Sequence, residues 1–193
     1  MAEIQTIAVI GAGALGRGIA YTAALAGYCA VLEDILPGSL RSAAAEIRYQ
    51  LVQAAELGAI TKPEAEAAFK RVEYASTVED AARRADLVIE SVPEEMESKL
   101  EIFTLLDRVS KPATILASNT KTLSISEFAS ITYRAKKIIG MRFVHPVDEM
   151  QQLEIVRVQE TDDETLAACT EVGRRMGKEV MVVQDLPWST AER

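Results

Sequence analysis

This sequence predicts an α/β fold of the Rossmann-like kind: a doubly wound, mostly parallel sheet with an inserted helical hairpin. Strand-like runs rich in β-branched residues alternate with helix-like segments from end to end, the pattern of parallel strands joined by crossover helices. A glycine-rich turn at 11–16 separates the first strand from the first helix, and an acidic pair ends the second strand. The 193 residues, 49% of them hydrophobic, are expected to form a single domain over 1–193.

In the first half of the chain, glycines and capping sequences set the expected ends of the elements. The first helix is expected to end near Gly27 and a later one at Gly58, while Thr61-Lys-Pro-Glu64 has the form of a capping box that opens the second helix of the hairpin. The expected elements are a strand at 6–10, a helix up to 27, a strand at 30–32, and helices at about 39–57 and from 61.

In the second half, Pro93 and further capping sequences divide the chain into the same two kinds of segment. Thr77-Val-Glu-Asp80 is expected to start a short helix, and Ser124-Ile-Ser-Glu127 is a further capping box. The remaining expected elements are strands at 87–92, 114–117, 138–144, 153–158 and 180–183, and helices at 94–109 and 161–177.

Composition and charge restrict the partners of this chain. The formal charge of −8 argues against sequence-independent binding to nucleic acid or to an anionic membrane, because either needs a concentrated basic face. No apolar run approaches the roughly 18 residues of a spanning helix, and the first residues lack the basic region of a signal peptide. Cys29 and Cys169 have no Cys or His at metal-ligand spacing, so we expect two small buried hydrophobes and no metal site. A cytoplasmic protein with a small-molecule ligand is therefore expected.

The segment Gly11-Ala-Gly13-Ala14-Leu15-Gly16 has the form of a dinucleotide-binding turn, with a strand before it and a helix after it. Gly11 permits the tight turn, Gly13 leaves room for a pyrophosphate, and Gly16 lets the helix pack closely on the strand. Ala14 and Leu15 lie where the backbone amides and the positive end of the helix meet the phosphates. The turn predicts a nucleotide cofactor.

The acidic pair at the end of the second strand selects between cofactors. Asp34 can accept hydrogen bonds from both ribose hydroxyls, and no Arg or Lys follows before Arg41. A 2′-phosphate would therefore face an uncompensated carboxylate, which favours NAD over NADP. The neighbouring Glu33 is either solvated or the carboxylate that points inward, and the sequence leaves this choice open.

Three further motifs carry a family resemblance. They are Asp86-Leu-Val-Ile-Glu-Ser-Val-Pro-Glu94-Glu-Met-Glu-Ser-Lys99, Ala117-Ser-Asn119-Thr120 and Gly140-Met-Arg-Phe-Val-His-Pro146-Val. In order and spacing they resemble the signatures of 3-hydroxyacyl-CoA dehydrogenases over essentially the whole chain. The resemblance implies an oxidoreductase of fatty acid metabolism that oxidises the 3-hydroxyl of an acyl-CoA and passes hydride to NAD. A histidine base, a glutamate that orients it and polar groups around the substrate oxygen are part of that implied mechanism.

The resemblance also assigns site residues. Cofactor contacts fall on Ser91, Glu94, Lys99 and Asn119, with Glu94 and Lys99 on the nicotinamide side. The alternative for Lys99 is a solvated helix residue paired with nearby glutamates. Glu154 matches the orienting glutamate, and a carboxylate inside such an apolar strand needs a partner.

Three residues depart from the family pattern. Arg142 occupies the catalytic histidine position, Lys121 replaces a serine, and His145 stands where the family places an asparagine. Arginine stays protonated, so any imidazole base must be His145, the only histidine, either displaced or realigned by a short deletion before Glu154. In this hypothesis Glu154 orients His145, and Arg142 or Lys121 holds the substrate oxygen or an acidic group. A purely structural role for His145 is the alternative.

The end of the chain departs as well. Val183-Gln-Asp-Leu-Pro187 resembles the family's approach to a second, helical domain, but Trp188-Ser-Thr-Ala-Glu-Arg193 closes the sequence. The chain is therefore either a fragment or a stand-alone family member. In both cases we expect an exposed apolar surface through which copies associate into a homo-oligomer, with Trp188 as its reporter.

Two functions follow from these features. The first is an NAD-dependent dehydrogenase that acts on an acyl-CoA-like substrate, and the second is an NAD-binding module without turnover. Residues 42–45 offer no lysine where the family often supplies one for CoA, so the carrier of the acyl group stays undetermined.

Overall fold

In the computed structural model, which describes residues 3–185, eight strands form one sheet. They are β1 (Thr6–Ile10), β2 (Cys29–Glu33), β3 (Val72–Ala75), β4 (Leu87–Glu90), β5 (Ile115–Ser118), β6 (Ile138–Phe143), β7 (Gln152–Arg157) and β8 (Glu179–Gln184). Their order is β3-β2-β1-β4-β5-β6-β7-β8, and the pairs from β3 to β6 are parallel. β7 runs antiparallel to β6, and β8 parallel to β7. The predicted doubly wound, mostly parallel sheet is confirmed.

Helices connect the parallel strands. They are α1 (Ala14–Leu25), α2 (Pro37–Glu56), α3 (Lys62–Lys70), α4 (Val78–Ala82), α5 (Met96–Val109), α6 (Ile125–Ser130) and α7 (Asp163–Arg175), with a short 3-10 turn at Ala135–Lys137. Within residues 3–185, none of these helices combines the length and the apolar character that crossing a membrane requires.

Two buried clusters cover the two faces of the sheet. Along β1, Ile7 and Val9 belong to one cluster, whereas Ala8 and Ile10 belong to the other. Because both faces are covered, the central strands read as continuous apolar runs rather than as alternating ones. The carboxyl ends of the strands are left as the edge at which polar side chains collect.

The inserted hairpin α2–α3 forms as predicted. Gly58, after α2, has a φ of +75°, a conformation that favours glycine at the end of a helix. The Thr61 hydroxyl accepts a hydrogen bond from the Glu64 amide at 3.3 Å, and the Glu64 carboxylate accepts one from the Thr61 amide at 2.7 Å. The capping box at Thr61 is therefore confirmed.

The structure adds one strand and shortens another. β3 has no counterpart among the predicted strands, because its four residues are mostly half-exposed at the edge of the sheet and show too short a pattern. The strand expected at 87–92 ends at Glu90, since the Val92 amide turns back to donate to the Glu90 carboxylate at 2.7 Å.

The capping box predicted at Ser124 is wrong, although the helix it was expected to open is present as α6. No side chain of the Ser124–Glu127 segment caps that helix. Instead, the Asp185 carboxylate accepts hydrogen bonds from the Ser124 hydroxyl at 2.9 Å and from the Ser126 amide at 2.8 Å. A residue that follows β8 therefore supplies the cap, 59 positions from the amide that it accepts from.

The two cysteines differ in environment. Cys169 is fully buried, as expected, and burial raises the pKa of its thiol to about 12. Cys29 is half-buried, and its thiol lies 3.5 Å from a Glu73 carboxylate oxygen, to which it donates. Cys29 is therefore a polar contact rather than the simple buried hydrophobe that we expected.

Apolar side chains are exposed on β8, which ends the sheet. Met181 and Val182 are 54% and 46% exposed. They give the expected self-association a candidate surface, but association itself stays a prediction. Trp188, its expected reporter, lies outside the described residues.

Candidate cofactor and substrate site

The glycine turn after β1 has the geometry that a pyrophosphate needs. Gly11 has a φ of +101°, and a Cβ there would lie 2.8 Å from the Ser91 carbonyl oxygen. A Cβ at Gly16 would lie 1.9 Å from the Gly11 carbonyl oxygen, so α1 packs too closely on the turn for any side chain. At Gly13, which precedes α1, a Cβ would meet nothing within 4 Å. The turn is therefore tightly packed at Gly11 and Gly16 and open at Gly13.

The open side of the turn faces a cleft of about 1210 Å³. This volume exceeds what most small-ligand pockets provide, and the cleft follows the carboxyl ends of β1, β2, β4 and β5. Among the candidate cofactor residues, the members of its lining are Gly11, Gly13, Ala14, Leu15, Asp34, Ser91, Glu94 and Asn119. Gly16 and Lys99 lie behind the lining, where they support it.

Asp34 is tied to the glycine turn. Its carboxylate accepts hydrogen bonds from the Ala12 amide at 3.0 Å and from the Leu36 amide at 2.9 Å. Each of its two oxygens takes one of these bonds, which leaves each with a further lone pair. The residues at this point therefore fit the ribose hydroxyls of NAD, as the sequence predicts.

Glu33 is buried rather than solvated, so the first of the two interpretations open at the sequence level is wrong. Its side chain lines the cleft and the residue is only 4% exposed. Burial, followed by the charges of Asp34 and Glu79, raises the pKa of its carboxyl group to about 7. The Gly11 amide, a backbone donor beside this carboxyl group, favours the ionised form and opposes the shift only in part.

A buried ion pair lies beneath the next part of the cleft. Lys99 is 1% exposed, and its Nζ donates to Glu90 Oε1 at 2.6 Å and to the Val92 carbonyl oxygen at 3.2 Å. Ser118 Oγ donates to the other Glu90 oxygen at 2.6 Å. The solvated alternative for Lys99 is therefore wrong. The sequence analysis did not identify Glu90. A glutamate within an apolar strand, nine residues before a lysine, could have indicated this ion pair.

Glu94 is held as a carboxylate beside this pair. Its Oε1 accepts hydrogen bonds from the Thr120 hydroxyl at 2.5 Å, the Lys121 amide at 2.9 Å and the Thr122 amide at 3.0 Å. Burial alone would raise its pKa, but these donors and the Lys99 charge lower the pKa of Glu94 to about 2. Glu94 thereby joins the segment after β4 to the segment after β5, and it presents a fixed negative charge at the wall of the cleft.

A second cavity of about 210 Å³ adjoins the cleft. Lys121 lines both spaces, and Arg142 and Glu154 line the smaller one. Arg142 and Glu154 are opposite each other in the antiparallel register of β6 and β7, with Arg142 Nη1 3.6 Å from Glu154 Oε2. Arg142 Nε also donates to the Thr120 carbonyl oxygen at 2.9 Å. This cavity can therefore hold a negatively charged or carbonyl oxygen.

His145 lies apart from the residues with which it was predicted to act. It is exposed in the loop after β6, and it is absent from the described linings of both spaces. Within residues 3–185, no hydrogen bond or ion pair joins it to Glu154, whose partner is Arg142. The predicted contact between His145 and Glu154 is therefore not formed in this structure, because Arg142 occupies the position across the strand pair.

The loop that carries His145 is anchored by a lysine that sequence reasoning missed. Lys178 is almost fully buried, and its Nζ donates to the Val147 carbonyl oxygen and, at 2.9 Å, to the Met150 carbonyl oxygen. Burial lowers the pKa of this ammonium group. The loop is thus held from below by a residue between α7 and β8.

Comparison with known proteins gives the same family from sequence and from structure. The family described as "3-hydroxyacyl-CoA dehydrogenase, NAD binding domain" matches residues 6–186. A probable 3-hydroxybutyryl-CoA dehydrogenase of Bacillus subtilis (strain 168) is 39% identical over 99% of this chain and 66% of its own length. A 3-hydroxybutyryl-CoA dehydrogenase of Bradyrhizobium diazoefficiens is also 39% identical, over 96% of this chain and 63% of its own length. The crystal structure of the Escherichia coli K12 3-hydroxybutyryl-CoA dehydrogenase has a TM-score of 0.92 at 32% identity, over 96% of this chain and 39% of that one.

Proposed function

Because the chain belongs to the 3-hydroxyacyl-CoA dehydrogenase family and matches the NAD-binding domain of that family, we propose that it is an NAD-dependent oxidoreductase acting on a 3-hydroxyacyl-CoA-like substrate. The chain spans about two thirds or less of the curated relatives that it matches, so the activity of those relatives comes to it only as a proposal. One observation carries the proposal: Lys121 lines both the cofactor cleft and the smaller cavity. A substrate oxygen held in that cavity would adjoin the cofactor.

The residues of the cleft fit NAD and divide the work of holding it. When bound, NAD supplies a nicotinamide ring that accepts or donates hydride. The glycine turn and the start of α1 would hold the pyrophosphate through backbone amides, and Asp34 would hold the ribose. Glu94, fixed as a carboxylate by three backbone and hydroxyl donors, would orient the nicotinamide end, while Lys99 balances the charge of Glu90 beneath it.

At the substrate end we propose that Arg142 and Lys121 hold the oxygen at C3, or an acidic group of the substrate, through their positive charges. His145 stays our candidate for the group that takes the hydroxyl proton. Its support is that it is the only imidazole and that it follows Val144, which lines the smaller cavity. The two free cysteines are in keeping with a reducing, cytoplasmic location.

One observation favours the second candidate function, an NAD-binding module without turnover. The position where the family places its histidine holds Arg142, which is already paired with Glu154 at 3.6 Å. A guanidinium stays protonated and cannot act as a base at neutral pH. Binding of NAD would be unaffected by this substitution, whereas proton removal would be lost unless another group supplies it.

Turnover measured beside binding separates the two functions. We expect the chain to bind NAD in a direct titration and to form NADH when short 3-hydroxyacyl-CoA thioesters are added. Arg142→His, which restores an imidazole opposite Glu154, is the matched variant. NAD binding without NADH formation in the unmodified chain, together with NADH formation by Arg142→His, would support the module and contradict the dehydrogenase.

A further inference from the structure

Glu33 has a place in the cleft that the proposed chemistry does not use. It is the last residue of β2 and lines the same wall as Asp34 and Glu79. In a dinucleotide-binding sheet, the end of the second strand meets the adenosine half of the cofactor. No side chain in residues 3–185 donates a hydrogen bond to the Glu33 carboxyl group. This group is therefore a buried acid that faces the ligand space and has no cation to balance it.

The charges around Glu33 all have the same sign. Asp34 follows it directly, and Glu79 faces it from α4. In the described lining of the cleft the one cation is Lys121, which follows β5, and β5 is separated from β2 by β1 and β4. Three ionised carboxylates at this wall would repel one another and also the pyrophosphate of a dinucleotide. This repulsion is reduced if the most deeply buried of the three carboxyl groups, that of Glu33, is neutral.

We propose that Glu33 binds the adenosine half of NAD as a neutral carboxylic acid that donates a hydrogen bond to it. Adenine ring nitrogens and ribose oxygens are acceptors, and an ionised carboxylate has no hydrogen to offer them. Asp34 keeps its complementary role, because its carboxylate oxygens accept from the ribose hydroxyls. The acidic pair thus offers one donor and one acceptor. This inference rests on NAD binding and not on dehydrogenase turnover.

The proposal predicts the direction in which NAD affinity changes with pH. In the free protein the Glu33 carboxyl has a pKa of about 7. A bound dinucleotide removes water from it and adds negative phosphate charge, and both effects favour the neutral form further. The pKa in the complex is then higher than in the free protein, so binding takes up a proton. NAD affinity is constant below the free pKa and falls as pH rises above it, by at most about tenfold per pH unit for one proton.

Titration calorimetry at several pH values tests the proposal. The probes are NAD and ADP-ribose, which lacks nicotinamide, each measured at pH 6, 7 and 8 in two buffers of different ionisation enthalpy. We expect the affinity of both ligands to fall by roughly fivefold to tenfold from pH 6 to pH 8, with proton uptake near pH 7. Glu33→Gln, whose amide donates at every pH, should show no such fall and should take up no proton. Glu66→Gln, on the exposed face of α3, should behave as the unmodified protein does.

A second variant keeps the proposal testable if Glu33→Gln fails to fold. Glu79→Gln removes one of the charges that favour the neutral acid, so the fall in affinity should begin at a lower pH. An affinity that does not change with pH, or that rises with it, overturns the proposal, as does a Glu33→Gln variant that keeps the slope of the unmodified protein. A slope seen with NAD but not with ADP-ribose would also overturn it, because the titrating group would then lie at the nicotinamide end.

Discussion

At the adenosine end the cleft is built largely from backbone, whereas at the substrate end it is built from charged side chains of three neighbouring strands. The first end consists of the glycine turn and the residues that end β2. The second brings together Lys121 after β5, Arg142 on β6 and Glu154 on β7. A binding site formed by backbone amides depends on a few glycines within one short segment. Such a site is retained as long as those glycines are retained. A side-chain constellation can change one residue at a time, and the family resemblance implies such a change here, with Arg142 at the position of the family's histidine.

The largest expected effect lies at the substrate end, where His145 is the only imidazole. If it is the base, oxidation requires the neutral ring, so the rate should rise with pH through one ionisation. His145→Gln should remove that step and lower turnover by about 10² to 10⁴-fold. The measurement is the pH profile of NADH formation in both proteins. Full activity in the variant would mean that the base is not an imidazole.

The next effect is expected beneath the cleft, and it concerns the free energy of unfolding rather than turnover. Lys99→Met would leave the fully buried Glu90 carboxylate without its cation, which should lower the free energy of unfolding by about 3–5 kcal/mol. Lys111→Met is the matched control, because it breaks an exposed pair with Asp86 and should cost less than about 1 kcal/mol. Urea unfolding of the three proteins measures both. Equal losses in the two variants would show that Lys99 is not an essential partner.

At the adenosine end the strongest test is Gly13→Val. Nothing lies within 4 Å of a Cβ at this position, so the fold should tolerate the side chain while the pyrophosphate should not. We expect the Kd for NAD to rise by at least about 100-fold, or roughly 2.8 kcal/mol, with an unchanged melting temperature. Gly38→Ala, in the exposed first turn of α2, should leave the Kd unchanged. Wild-type affinity in Gly13→Val would place the cofactor elsewhere.

The smallest expected effect concerns cofactor choice. Asp34→Ala removes the carboxylate that we propose accepts from the ribose hydroxyls and repels a 2′-phosphate. The ratio of the affinities for NAD and NADP should narrow by about tenfold, equivalent to roughly 1.4 kcal/mol. Fluorescence titration with the reduced forms of the two cofactors, NADH and NADPH, measures the corresponding ratio of affinities. Equal affinities in the unmodified protein would remove Asp34 from the selection altogether.

Local patterns in the sequence determined most of the fold and the cofactor end of the cleft. β1 was predicted to the residue, and the capping box at Thr61 and the end of a helix at Gly58 were expected from a few adjacent residues. These features are decided within one turn of helix or one strand, because the hydrogen bonds and sterics involved are local. For the same reason the glycine turn is recognisable from its six residues and the elements on either side of it.

Only the tertiary structure decided which charges are buried and which residues are partners. The sequence left Glu33 open, missed the pairing of Glu90 with Lys99, and expected Glu154 to contact His145, whereas the strand register places Glu154 opposite Arg142. Asp185 caps α6 from the far end of the chain in the same way. Each of these contacts joins different elements, so it depends on how strands and helices are placed in space. A carboxylate takes its partner and its pKa from that placement, since burial and neighbouring charge are properties of the folded chain.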